Sequence, residues 1–115
     1  MVKYNTRDLD STFAALADPT RRAILARLAL GECTVGELGR PFPISAPAIS
    51  KHLRLLEGAN LIKRRRDGRT QRCRLNPAAL DRAAEWLTAQ RRFWEDSFDR
   101  LAEHLAATAK EKPQP

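Results

Sequence analysis

At 115 residues and 13.0 kDa the chain has room for one domain with a modest core and not for two. A composition of 43% hydrophobic and 30% charged residues is that of an ordinary globular protein, with no low-complexity segment, no internal repeat and no apolar run of membrane-spanning length. Its 21 Lys and Arg against 14 Asp and Glu leave +7, so the placement of the positive charge decides among nucleic acid, an anionic membrane surface and an acidic protein as partner.

The segment "DLDSTFAALA" puts Leu9, Phe13, Leu16 and Ala17 on one face at helical spacing and predicts a short amphipathic first helix. It stops at "DPT", where Asp18 suits an N-cap and Pro19 the first position of a second helix. That helix, "PTRRAILARLAL", stacks Ile24, Leu25 and Leu28 inward, leaves Arg21, Arg22 and Arg27 to solvent and ends at Gly31. "TVGELGR" opens a third helix, because Thr34 and Glu37 have the spacing of a reciprocal capping box; Pro41 limits it to about two turns.

After a tight "PFPI" connection Ser45 caps a fourth helix, "APAISKHLRLLEG". Ile49, Leu53 and Leu56 form its core stripe, and Ala46, Pro47, Ser50, Lys51 and Arg54 point the other way. That outward face is small at its start, polar in the middle and basic, as a helix lying in a groove must be.

Beyond Gly58, "NLIKRRRDGRTQRCRL" predicts two strands around a tight Asp67-Gly68 turn, anchored in the core by Leu61, Ile62, Cys73 and Leu75. Seven cations (Lys63, Arg64, Arg65, Arg66, Arg69, Arg72 and Arg74) meet one anion, Asp67, so +6 of the charge sits in this hairpin. Asn76 and Pro77 then cap and start a last helix running to the region of Ala109, and "KEKPQP" is expected to be a disordered tail over 110–115.

The last helix is longer than one small core requires. Leu80, Leu87, Trp94 and Leu101 recur every seven residues, Ala84, Arg91, Phe98 and Leu105 form a second row, and Trp86 and Phe93 widen the stripe. So wide an apolar surface calls for a homodimer seam built from the last helix and the first, with Leu9, Phe13, Leu16, Leu87, Trp94, Phe98, Leu101 and Leu105 as its residues. Core and dimer packing is the default role of these aromatics, and a pocket for a small-molecule inducer is the other.

The expected fold class is therefore mainly α with a small β-hairpin wing, a single winged helix-turn-helix domain over 1–109 flanked by dimerisation helices. In that arrangement the fourth helix enters the major groove of duplex DNA and the wing follows the backbone or reaches the minor groove. Ser45, Ala46, Pro47, Ser50, Lys51, His52 and Arg54 are the candidate DNA residues of the helix, and Arg64, Arg65, Arg66 and Arg69 those of the wing. Small residues allow close approach, Ser50 and Lys51 can donate to base edges or phosphates, and the wing arginines displace counterions.

No phosphate-cradling glycine loop, nucleophile elbow or dense carboxylate and histidine cluster is present, so neither an enzyme nor a cofactor is expected. Cys33 and Cys73 form no Cys-x-x-Cys pair, and the start "MVKYNTRDLD" lacks a signal segment, which points to the cytoplasm.

"ALADPTRRAILARL", "ISAPAISKHLRLLEGANLIKRRRDGR" and "CRL" resemble the ArsR-type winged-helix repressors of bacteria across roughly residues 9 to 105, with the motifs in the family's order and spacing. The resemblance implies a homodimeric repressor that binds an inverted repeat near a promoter. Many such repressors release DNA on binding a metal. Here the thiolate pair of the third helix would fall at about Thr34 and Gly36, and the last helix has one histidine, His104, so no metal site is expected. Two other readings of the residues stand beside this one: a basic module docking an acidic protein, and a thiol-responsive regulator using Cys33 and Cys73.

Overall fold

The computed structural model describes residues 6–111, and their side chains from 7 to 109. The elements in chain order are α1 (Thr6–Leu16), α2 (Pro19–Leu28), β1 (Cys33–Thr34), α3 (Val35–Gly39), α4 (Ala46–Gly58), β2 (Ile62–Asp67), β3 (Thr70–Leu75) and α5 (Pro77–Glu111). The chain divides into two compact units, Met1–Ala83 and Ala84–Pro115.

In the first unit the helix starts are where the short polar residues place them. Asp18 accepts the Arg21 amide at 3.0 Å with Pro19 at the head of α2. Thr34 and Glu37 close the capping box of α3, and Ser45 Oγ accepts the Ala48 amide at 3.3 Å. Each satisfies amide donors that the first helical turn leaves without a partner.

The end of α4 is set by a residue outside it. Asn60 adopts φ 59°, the Asn60 amide donates to the Glu57 carbonyl at 3.0 Å and the Leu61 amide to Leu56 at 3.0 Å. These are the two reversed bonds of a Schellman motif, which turns the chain sharply into β2.

The sheet is three-stranded and antiparallel in the order β1-β3-β2. The wing turn differs from the sequence expectation by one residue: Asp67 pairs with Thr70, so the two loop residues are Gly68 and Arg69. Gly68 has φ 63° and Arg69 does not share the left-handed region, the pattern of a turn that needs glycine at its first central position. The strand β1 was not anticipated; at two residues it carries no periodic signal of its own. Asn76 stands immediately before α5, where an N-cap was expected, and its side-chain amide donates to the Asn60 carbonyl at 2.9 Å, fastening the end of β3 to the end of α4.

The core gathers Ile24, Leu25 and Leu28 from α2, Leu38 from α3, Ile49, Leu53 and Leu56 from α4, and Leu61, Ile62, Cys33 and Cys73 around the sheet. Here α1 contributes Thr12 and Ala15, while its larger residues Leu9, Phe13 and Leu16 remain half-buried. In the second unit α5 continues to Glu111, two residues past the expected end, and residues 112–115 of the expected tail lie outside the described residues. Its Leu87, Phe93, Trp94, Phe98, Leu101 and Leu105 are all more than half exposed. Trp94 lies between Phe93 and Phe98, with ring centroids 5.9 Å and 6.1 Å away.

Candidate nucleic-acid interface

The outward face of α4 carries the residues the sequence reading assigned to it. Ser45, Ala46, Pro47, Lys51 and Arg54 are exposed and Ser50 is half-buried, while Ile49, Leu53 and Leu56 fix the opposite face in the core. Lys51 and Arg54 have no ion-pair partner among the described residues, so their charge is open to an external anion.

His52 is placed differently from its neighbours. Its side chain is about 20% exposed and its Nδ1 lies 3.3 Å from Arg21 Nη1 and 3.9 Å from Asp18 Oδ2. Arginine can only donate, so Nδ1 is the acceptor of the shorter contact and the ring proton sits on Nε2.

Arg21, expected in solvent, is thus a structural node. Its Nε donates to the Ala15 carbonyl at 2.7 Å and its Nη2 to Ala14 at 3.2 Å, which ties the end of α1 to α2 and, through His52, to α4. The Arg21 backbone amide also holds the Asp18 carboxyl below the usual carboxylate range, against the opposing effect of burial.

The wing cations divide into two sets. Arg64 is half-buried and gives Nη2 and Nε to Glu57 Oε1 at 2.8 and 3.2 Å, which braces β2 against α4. Arg65 makes a two-pronged pair with Glu32 at 3.0 and 3.2 Å, and Arg72 pairs with Asp67 at 3.1 Å. Lys63, Arg66, Arg69 and Arg74 have no carboxylate partner among the described residues. Two of the four wing arginines first assigned to DNA are therefore already engaged within the protein, and Lys63 and Arg74 join the open set.

The register sharpens this contrast. Lys63 faces Arg74 and Arg65 faces Arg72 directly across the hairpin. Like charges so placed repel, and Glu32 and Asp67 relieve only the second pair. Asp67 was visible in the sequence as the one anion of the hairpin, but Glu32 was not, since it is 33 residues from Arg65 and becomes its neighbour only through the β1–β3 pairing.

A cavity of about 320 Å³ opens between α1 and α4, lined by Ser11, Ala14, Ala15, Arg21, Arg54, Leu55, Gly58 and Ala59. None of the α5 aromatics considered for an inducer pocket lines it.

Residues 16–65, from the end of α1 into β2, match a family described as a helix-turn-helix domain. The chain is 46% identical over 88 residues to the HTH-type transcriptional regulator Rv2034 of Mycobacterium tuberculosis, covering 76% of this chain and 79% of that one. It is 38% identical over 79 residues to the transcriptional repressor SdpR of Bacillus subtilis, 69% and 88% of the two chains. A crystal structure of an ArsR family transcriptional regulator superposes with a TM-score of 0.77 at 39% identity, over 83% of this chain and 97% of that one. All three of these proteins are described as transcriptional regulators or repressors. The chain belongs to the ArsR family of winged helix-turn-helix transcriptional regulators.

Proposed function

We propose that the chain is a homodimeric repressor that binds an inverted-repeat operator in duplex DNA and acts in the cytoplasm. The helix at 45–57 reads the major groove through Ser50 and Lys51, and the wing at 61–75 grips phosphates through Arg66 and Arg69. The observation that carries this reading is the set of cations without an ion-pair partner among the described residues, Lys51 and Arg54 on α4 with Lys63, Arg66, Arg69 and Arg74 on the hairpin, on two elements that the Arg64–Glu57 pair braces together. His52, its proton on Nε2, donates to a phosphate. The dimer seam is formed by Leu9, Phe13 and Leu16 of α1 with Leu87, Trp94, Phe98, Leu101 and Leu105 of α5, large apolar side chains that one copy leaves half-buried or exposed.

The test is fluorescence-anisotropy binding to duplex DNA from upstream of the protein's own gene, against a scrambled duplex, at two salt concentrations. Preference for the upstream duplex with steep salt dependence is expected. Arg66→Ala lowers affinity for both duplexes alike and reduces the salt slope by about one, while Ser50→Ala changes the preference between base pairs by about 1–3 kcal/mol. Equal and weak binding to both duplexes would refute the operator reading and leave the basic surface to an acidic protein partner.

A further inference from the structure

We infer that Cys33 and Cys73 are a modification site: a small-molecule disulfide oxidises them to an intramolecular bond that encloses the helix-turn-helix and the wing in one covalent loop. This goes beyond the DNA-binding reading and does not depend on it.

The two cysteines are register partners in the β1–β3 pairing, and both are free thiols with 2% and 0% exposure. Directly opposed residues of antiparallel strands send their side chains to the same side of the sheet, with Cα atoms about 4.5–5.5 Å apart. That separation lies inside the range of about 4.4–6.8 Å that a disulfide spans. The register thus brings the two thiols within the reach of a disulfide. The closed loop holds α3, α4, β2 and the wing turn.

The two thiols are not equivalent. Cys33 lies on the two-residue edge strand, whereas Cys73 lies on the central strand, flanked by β1 and β2. Local opening that detaches β1 exposes Cys33 and leaves Cys73 held by its longer ladder with β2. Cys33 is thus the attacking thiol. Its thiolate displaces one thiolate from the external disulfide and forms a mixed disulfide. Cys73 then attacks the Cys33 sulfur, the Cys33–Cys73 bond forms, and the second external thiolate leaves. The two cysteine protons end on the two released thiols, so the pair is oxidised by two electrons and the external disulfide is reduced by two.

Burial pushes the Cys73 thiol up to about 11 and raises that of Cys33, so little thiolate is present near neutral pH. The reaction is accordingly slow, and the bond once formed is shielded from external reductant by the same packing.

The experiment incubates the reduced full-length protein with oxidised glutathione, quenches it in denaturant with an alkylating agent, and reads intact and peptide masses. Wild type is expected to end as a monomeric chain with no alkylated cysteine and no retained glutathione. Cys73→Ser accumulates one glutathione on Cys33, and Cys33→Ser remains mostly unmodified over the same time. The oxidised wild type shows a higher urea midpoint than the reduced protein. The proposal is overturned if wild type stops at the mixed disulfide, links two chains or keeps both thiols. It is equally overturned if glutathione reaches Cys73 in Cys33→Ser as fast as it reaches Cys33 in Cys73→Ser. The wild-type masses decide the matter even where a serine variant fails to fold.

Discussion

Arg65 and Arg66 are neighbours with the same charge, but Arg65 is held by both oxygens of Glu32 and Arg66 makes no ion pair among the described residues. A salt slope counts phosphates contacted by cations that were free to contact them. Arg65→Ala should therefore change the slope by clearly less than Arg66→Ala. Glu32→Gln, which releases Arg65, should raise affinity for any duplex and steepen the slope by about one. If the two arginine variants behave alike, the Glu32 pair does not persist against DNA. The cations were plain in the sequence; their partners were not, because Glu32 and Glu57 reach them only through strand pairing and helix packing. The same holds for Arg21, whose place on a polar face said nothing of the carbonyls of Ala14 and Ala15 waiting for it. Asp18 adds a pH signature. Its folded carboxyl is depressed, so the stability it contributes is present above the ordinary carboxylate range and lost as pH falls through the folded value. Asp18→Ala should lower the urea midpoint at pH 7 and show a smaller further loss at pH 3 than wild type.

Among the elements, those announced by local chemistry were legible and those made by distant pairing were not. Asp18, Thr34 and Ser45 mark helix starts because an oxygen one residue before the helix reaches amides a turn ahead, a contact written within four residues of sequence. The strand β1 has only Cys33 and Thr34, and its existence depends on Cys73 and Arg72, which only a long closed loop brings to it. The end of α4 shows the intermediate case. The helix ends on Gly58 as its quoted segment does, but the left-handed turn that stops it falls two residues on, at Asn60. Asparagine tolerates that conformation better than other non-glycine residues. Asn60→Ala should therefore cost about 1 kcal/mol, and Asn60→Gly should be close to neutral, as urea unfolding would measure. Equal losses would mean that the Asn60 side chain and not its φ matters. The turn of the wing was misplaced by one residue for a related reason: Asp67-Gly68 and Gly68-Arg69 both offer a glycine, and the strand register chooses between them.

At the scale of the whole molecule, burial and the heptad pattern disagree until a second copy is supplied. Ile24, Leu38, Leu53, Leu56, Leu61 and Ile62 of the first unit are almost fully enclosed, and α5 adds Ala79 and Leu80 from its start to that core. Phe93, Trp94 and Phe98 nevertheless stand at 57, 56 and 62% exposure, a cost no isolated chain has reason to bear. The period of seven that made this stripe legible in the sequence is the period of a helix packed against another helix, and it says nothing of which chain the partner belongs to. Trp94→Glu decides that question. It should convert the dimer to a folded monomer by sedimentation equilibrium, with circular dichroism unchanged. Operator affinity should fall by about 100-fold or more, because each copy then meets one half-site without the effective concentration of the other. Leu30→Glu places the same charge at a residue with 84% exposure outside the stripe, and should leave the mass unaltered. A Trp94→Glu protein that stays dimeric would place the seam elsewhere, and one that becomes monomeric yet keeps its operator affinity would show that a single winged helix suffices.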